Sequence, residues 1–233
     1  MNRYERQTGL KEIGTEGQKK ISETSVLIIG VGGLGSPTSL YLTGAGIGHI
    51  GLMDGDNVSL NNLHRQVLYT EQQIGKNKAE CAAENLQQHN SEVRFTPYPF
   101  FLDENNAEDI ISKYDIVIDG CDNFRSRYLI SDTCDRLKKP YVYGAIGEFN
   151  GQVSVFCYEY HGKYLTYRDL LPDEEAILNM PAPSKAVLGT MPSIVGCTMA
   201  TETIKLICGF GDLQCGKLWT YDALTCRTFS IEL

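Results

Sequence analysis

The sequence predicts an α/β fold: a doubly wound, mainly parallel sheet extended by antiparallel strands. Three observations carry this expectation. Short apolar runs recur at residues 26–29, 50–53 and 115–119, the first of them largely β-branched. Segments of helical periodicity lie between them, and a glycine-rich turn, Gly30-Val31-Gly32-Gly33-Leu34-Gly35, joins the first run to the first such segment. Runs this short read as strands buried on both faces. Strands separated by helices pair in parallel, because a parallel neighbour needs a crossover connection. A chain of 233 residues can bury most of its apolar surface and is read as one domain, 1–233.

Residues 1–24 are polar, amphipathic and interrupted by glycine, which predicts a helical arm outside the sheet. After the strand at 26–29 and the glycine turn, Ser36-Pro37 opens a helix over 37–47 with a capping residue and a first-turn proline. Gly46 or Gly48 ends it. The strand at 50–53 runs into Asp54, and Ala79, Ala82, Ala83 and Leu86 mark a helix over 78–89. A strand at 93–96 and a helix over 104–114 follow. The strand at 115–119 leads into Gly120-Cys121-Asp122-Asn123, then a helix over 124–138 stopped by Pro140, and a strand at 141–144. Over 149–158, Val153, Val155 and Cys157 alternate with polar positions, an antiparallel addition to the sheet. Periodicity lapses over 160–190, where a long irregular connection is expected; such loops in compact domains carry function. A helix over 193–208 and a strand pair at 217–220 and 227–231 complete the chain.

Composition narrows the function. The net charge of −8 argues against a nucleic-acid backbone as main ligand. No apolar run is long enough to span a membrane, and the N-terminus is not built like a secretion signal, so a cytoplasmic protein is expected. Eight cysteines are scattered without a Cys-x-x-Cys pair and read as reduced thiols. The strand, glycine turn and helix N-terminus form a Rossmann-like phosphate site, where backbone N–H groups and the helix dipole favour an anion. Asp54 stands where such a fold holds a ribose hydroxyl. Taken alone, Gly30, Gly32, Gly35 and Asp54 also suit an NAD-dependent oxidoreductase. That reading leaves Arg6, Arg65, Lys78 and Asp122 without a task.

Several separated motifs point elsewhere: Arg3-Tyr4-Glu5-Arg6-Gln7, the glycine turn, Asp54-Gly55-Asp56, Asn62-Leu63-His64-Arg65-Gln66, Lys78, Asp119-Gly120-Cys121-Asp122-Asn123, and Tyr221-Asp222-Ala223-Leu224-Thr225-Cys226. In this order they resemble the ThiF/MoeB/HesA family of adenylating enzymes, relatives of the ubiquitin-activating E1 enzymes, over nearly the whole chain. The resemblance implies ATP- and Mg2+-dependent adenylation of the C-terminal Gly-Gly carboxylate of a ubiquitin-like sulfur-carrier protein, with release of pyrophosphate. It implies nucleotide contacts from Gly30, Gly32, Gly33, Gly35, Asp54, Asp56, Asn62 and Gln66. Arg65 and Lys78 go to the phosphates and Asp122 to the metal. Arg6 reaches the other active site of a homodimer, and 160–190 is a crossover over the nucleotide.

Each assignment has a bland rival. Asp122 suits a helix cap, Arg65 a surface cation, Lys78 a solvated helix residue, and His64 a plain loop position. The chain also departs from the family pattern. Many relatives carry two zinc-binding Cys-x-x-Cys pairs; the first would fall where this chain reads Tyr164-Leu165-Thr166-Tyr167, so no zinc is expected. The crossover stretch Pro181-Ala182-Pro183-Ser184-Lys185-Ala186 has no cysteine for a sulfur-linked adduct. The short zinc-less form looks more like ThiF-type chains acting on a ThiS-type carrier in thiamine-thiazole synthesis. A MoaD-type carrier of molybdopterin synthesis is the alternative. A non-enzymatic scaffold, or adenylation of a small molecule, peptide or tRNA modification, would use the same nucleotide site.

Overall fold

The computed structural model describes residues 3–181 and 184–233. The first two residues of the expected arm, and Ala182 and Pro183 of the expected crossover, lie outside the described residues. In chain order the elements are α1 (Glu5–Thr8), α2 (Gly14–Glu23), β1 (Ser25–Ile29), α3 (Gly35–Ala45), β2 (His49–Met53), α4 (Lys78–His89), β3 (Arg94–Tyr98), α5 (Ala107–Ile111), β4 (Ile116–Asp119), α6 (Phe124–Leu137), β5 (Tyr141–Gly147), β6 (Asn150–Phe156), α7 (Tyr167–Leu170), α8 (Glu174–Leu178), α9 (Met191–Cys208), β7 (Lys217–Asp222) and β8 (Arg227–Glu232). Two 3-10 turns, Leu60–Asn62 and Glu71–Gln73, lie between β2 and α4.

One sheet runs through the protein in the order β3-β2-β1-β4-β5-β6-β7-β8. From β3 to β5 all pairs are parallel; β6, β7 and β8 add antiparallel. The chain winds outward from β1 to β3, then crosses back to place β4 on the other side of β1. This reversal puts the topological switch point at the C-terminal ends of β1 and β4, where open α/β sheets form the crevice that binds ligands.

Period-two alternation assigns the strand side chains to two cores. Val26 and Ile28 of β1, Ile116 and Ile118 of β4 and Val142 of β5 face one, with parts of α2, α3, α4 and α9. Leu27, Ile29, Val117, Tyr141 and Tyr143 face the other, with α5, α6 and α7. Val26 to Ile29 are at most 3% exposed, and each such side chain contributes about 1.5–3 kcal/mol of burial. A central strand so covered holds the turn that follows it rigidly.

Element ends differ from expectation where side chains compete with the backbone. The helix expected over 104–114 shortens to α5, because Asp103 and Asn106 build a turn in front of it. Asp103 Oδ1 accepts from the N–H groups of Asn105 and Asn106 at 2.8 and 3.0 Å, and Asn106 Oδ1 accepts from Asp103 N–H at 3.0 Å. The connection over 160–190 is not wholly irregular. Thr166 and Asp169 form a capping box that starts α7, and Asp173 caps α8 by accepting from Ala176 N–H at 2.9 Å. Helices α1 and α2 lie outside the sheet. Helix α2 buries Ile21 and sets Gly17 against Cys208 of α9, where an added Cβ would come within 3.3 Å of the sulfur.

Candidate nucleotide site

The glycine turn closes on the loop after β4. Gly30 has φ +87°, and a Cβ there would lie 2.7 Å from the carbonyl carbon of Gly120. A Cβ on Gly35 would meet the Gly30 oxygen at 2.1 Å. The turn therefore tolerates no side chain at these positions, and its backbone can approach a ligand. Asp54 secures it from the neighbouring strand: Oδ2 accepts from Val31 N–H and Oδ1 from Asp56 N–H, both at 2.9 Å. Burial raises the Asp54 pKa, against the Lys78 charge and the two N–H donors, which lower it. At 7% exposure, with each oxygen accepting one backbone N–H, Asp54 holds the turn.

Sequence-distant residues then fold back over the glycines. Asn62 organises the segment by backbone: its carbonyl accepts from the N–H groups of Arg65 at 3.0 Å and Gln66 at 2.9 Å. A Cβ on Gly32 would come 3.3 Å from Gln66 Nε2, and one on Gly33 would come 4.0 Å from Arg65 Cδ. Gln66 is 4% exposed, and its Oε1 has no hydrogen-bond partner among the described residues. A buried acceptor left open beside the turn is spare polar capacity at a ligand site. Tyr69 bolts the layers together, its hydroxyl donating to the carbonyl oxygens of Val31 at 2.7 Å and Lys78 at 3.2 Å. Burial pushes its phenol well above the usual range.

Lys78 opens α4 and is 5% exposed. Its Nζ lies 3.0 Å from Asp56 Oδ2, whose side chain is 60% open to solvent. Asn77 ties this helix start to the end of β2, donating to the Asp54 and Asp56 carbonyls at 3.0 and 3.2 Å while capping Glu80 N–H at 3.2 Å. Lys78 is therefore not a solvated helix residue.

Across the crevice, the helix-cap reading of Asp122 gives way to Asn123, whose Oδ1 accepts from Ser126 N–H at 2.9 Å. Asp122 is exposed and makes no hydrogen bond or ion pair with the described residues. Asp119 is fully buried and supports the loop, accepting from Cys121 N–H at 2.8 Å and the Tyr141 hydroxyl at 2.6 Å. Its pKa is raised by burial, opposed chiefly by Arg127.

Arg127 is a residue the sequence reading missed. It is 8% exposed, 3.6 Å from Asp119 Oδ2, donates to Cys121 O at 3.0 Å, and stacks 5.3 Å from the Tyr143 ring centroid. The signal was its register: it shares the buried face of α6 with Ile130, Ser131 and Cys134, a place where a cation must have a partner.

Arg6 is not brought to this cluster. Tyr4 packs on Gly46 at the C-terminal end of α3, where an added Cβ would strike the Tyr4 ring, and Gln7 donates to Ala45 O at 3.0 Å. Helix α3 starts at the glycine turn, so its length of about 16 Å separates Arg6 from the site of its own chain. The side chain is exposed there.

No group of three or more His, Cys, Asp or Glu among the described residues is arranged to hold a metal. Asp122 can supply one carboxylate, which fits Mg2+ shared with phosphate oxygens and water. Where zinc pairs would stand, Tyr164 donates to Asp135 Oδ1 at 2.7 Å, and Tyr167 is fully buried against Tyr128, Tyr143 and Phe156. Among the described residues no helix is long and apolar enough to cross a membrane.

Fold and site together define a Rossmann-like α/β protein whose glycine turn is ringed by an arginine, a buried lysine and two exposed aspartates. Residues 4–233 match the ThiF family, and the chain belongs to it. It is 43% identical over 227 residues to the sulfur carrier protein adenylyltransferase of Thermus thermophilus, covering 96% of this chain and 84% of that one. It is 41% identical over 232 residues to the maize adenylyltransferase and sulfurtransferase MOCS3-1, covering 99% of this chain and 49% of that one. The chain thus spans about half the length of its maize relatives. Among solved structures, E. coli MccB with ATP superposes with a TM-score of 0.82 at 25% identity, covering all of this chain and 71% of that one.

Proposed function

We propose that this chain is an ATP- and Mg2+-dependent adenylyltransferase acting on the C-terminal Gly-Gly carboxylate of a ubiquitin-like sulfur-carrier protein. One observation carries the reading: Arg65, Gln66, Lys78 and Asp56 gather at the glycine turn, with Asp122 on the neighbouring strand end. In the reaction a carboxylate oxygen attacks the α-phosphorus, the bond from that phosphorus to the pyrophosphate oxygen breaks, and an acyl-adenylate and pyrophosphate result. The nucleophile is already an anion, so no general base is needed. The difficulty is charge, and preformed cations meet it without reorganising. Arg65 and Lys78 take the phosphates, Gly30, Gly32, Gly33 and Gly35 let backbone approach them, and Gln66 supplies its free acceptor. Asp122 would hold Mg2+. The ribose role falls to Asp56, the acid at this strand end that stays open. Arg6 completes the cation set from the partner of a homodimer.

The names of the relatives support a sulfur carrier as substrate, and a ThiS-type carrier of thiamine-thiazole synthesis is the reading preferred here over a MoaD-type one. The oxidoreductase reading is disfavoured, because it leaves Arg65, the buried Lys78 and Asp122 at the turn without a task. The test is carrier-dependent ATP–pyrophosphate exchange with Mg2+, using ThiS-type and MoaD-type carriers with and without their terminal Gly-Gly. Exchange only with an intact tail is expected, faster with the ThiS-type carrier. Exchange indifferent to the tail would overturn the substrate assignment.

A further inference from the structure

Arg65 is held by its own neighbour in sequence. Its Nη1 donates to His64 Nε2 at 2.8 Å and to Asn61 O at 3.1 Å. A guanidinium has no acceptor, so in the first contact His64 Nε2 is the acceptor. His64 also meets the far end of the crossover. A Cβ on Gly189 would lie 2.7 Å from the His64 carbonyl oxygen and 3.3 Å from Nδ1. The residues just before Gly189 are pinned from the other side by the turn between β5 and β6: Leu188 N–H donates to Glu148 O at 2.9 Å, and Glu148 N–H to Ala186 O at 2.8 Å. The groups facing the ring are Arg65 from its own segment and Gly189 from the crossover, whose residues 186–190 carry no charge.

Building on the adenylation reading, we propose that His64 is a positioning residue: its imidazole holds the Arg65 side chain beside Gly33 of the glycine turn and couples that orientation to the crossover at Gly189. The imidazole is exposed, so no core contact of its own explains its place. A merely structural loop residue would not be rescued by a side chain that restores only the acceptor.

The experiment is binding of a fluorescent ATP analogue with Mg2+ to the full chain at neutral pH, beside thermal melts. His64→Ala should weaken binding roughly tenfold, the scale of one hydrogen bond to a charged group. His64→Gln keeps an acceptor; it should bind within about threefold of the unaltered protein. Gly189→Ala must displace the His64 backbone and should reproduce part of the loss. Unaltered affinity in folded His64→Ala would overturn the proposal, as would a folded His64→Gln protein that binds as weakly as His64→Ala. Failure of the unaltered protein to bind the analogue would instead bring down the adenylation reading together with this inference.

Discussion

Lys78 Nζ lies 3.0 Å from Asp56 Oδ2, a buried ammonium paired with an open carboxylate at the mouth of the crevice. A cation in the first turn of α4 opposes the helix dipole, and burial adds desolvation. Asp56 offsets both, and phosphate oxygens entering the crevice provide a second anion. Lys78→Ala should therefore lower kcat/KM for adenylate formation by about a hundredfold or more, the scale of losing one preorganised charge. Pyrophosphate exchange at varied ATP measures it, and an unchanged value removes Lys78 from the site.

Asp54 and Asp56 separate by function. Asp54→Asn breaks a buried acceptor pair under the glycine turn and should cost about 1–3 kcal/mol in urea denaturation. Asp56→Asn leaves the turn intact but weakens the contact proposed for the ribose. The unaltered protein should discriminate ATP from its 2′,3′-dideoxy form in exchange assays, and Asp56→Asn should narrow the gap. A gap that narrows only with Asp54→Asn would return the ribose to that residue.

Asp122 and Asn123 stand side by side and should fail differently. Asp122→Asn is expected to raise the Mg2+ concentration needed for half-maximal exchange about tenfold or more with no change in melting. Asn123→Ala removes the cap of α6 and should cost about 1 kcal/mol of stability with the Mg2+ requirement unaltered. The paired titrations keep a folding defect from passing as a metal defect.

The position of Arg6 leads to a mixing experiment. If Arg6 serves the partner's site, Arg6→Ala and Arg65→Ala chains are each inactive, yet their mixed dimer contains one intact site. Random reassembly should recover roughly a quarter of the unaltered activity for a two-fold dimer. No recovery in a mixture that forms mixed dimers would place Arg6 outside the chemistry.

What the sequence made legible is what local chemistry dictates. The β1 strand, the glycine turn and the start of α3 follow from period, missing Cβ atoms and capping within about ten residues. Their place at the switch point follows from the alternation of strands and helices. The Asn62 to Gln66 segment was recognised as a motif, but its contact with Gly32 and Gly33 is tertiary and nothing in its own spacing announces it. Arg127 was hidden for the opposite reason. A charged letter reads as solvent-facing unless the helical register is followed closely enough to see it among Ile130, Ser131 and Cys134. The short α5 and the two turns of helix in the crossover were decided by Asx and capping contacts that compete locally with propensity, and Thr166-x-x-Asp169 was a visible signal for the latter.

The base of the crossover should be sensitive to acid. Tyr164 donates to Asp135 Oδ1, and Lys138 Nζ lies 3.0 Å from the same oxygen. The Tyr164 hydrogen bond first, then Lys138, holds the Asp135 carboxyl below its ordinary value. A depressed folded pKa contributes stability that is present above the unfolded carboxylate value of about 4 and is lost as pH falls through the folded one. The Asp135 side chain is 41% exposed, so the contribution is discounted to about 1 kcal/mol or less. Tyr164→Phe should thus be slightly less stable than the unaltered protein at neutral pH, and the difference should close below about pH 4. Tyr167→Ala, by contrast, empties a fully buried aromatic site and should cost about 3–5 kcal/mol at every pH. Urea denaturation across that range distinguishes the two. A Tyr164→Phe deficit that persists unchanged into acid would mean that ring packing, and not the Asp135 hydrogen bond, fastens the crossover to α6.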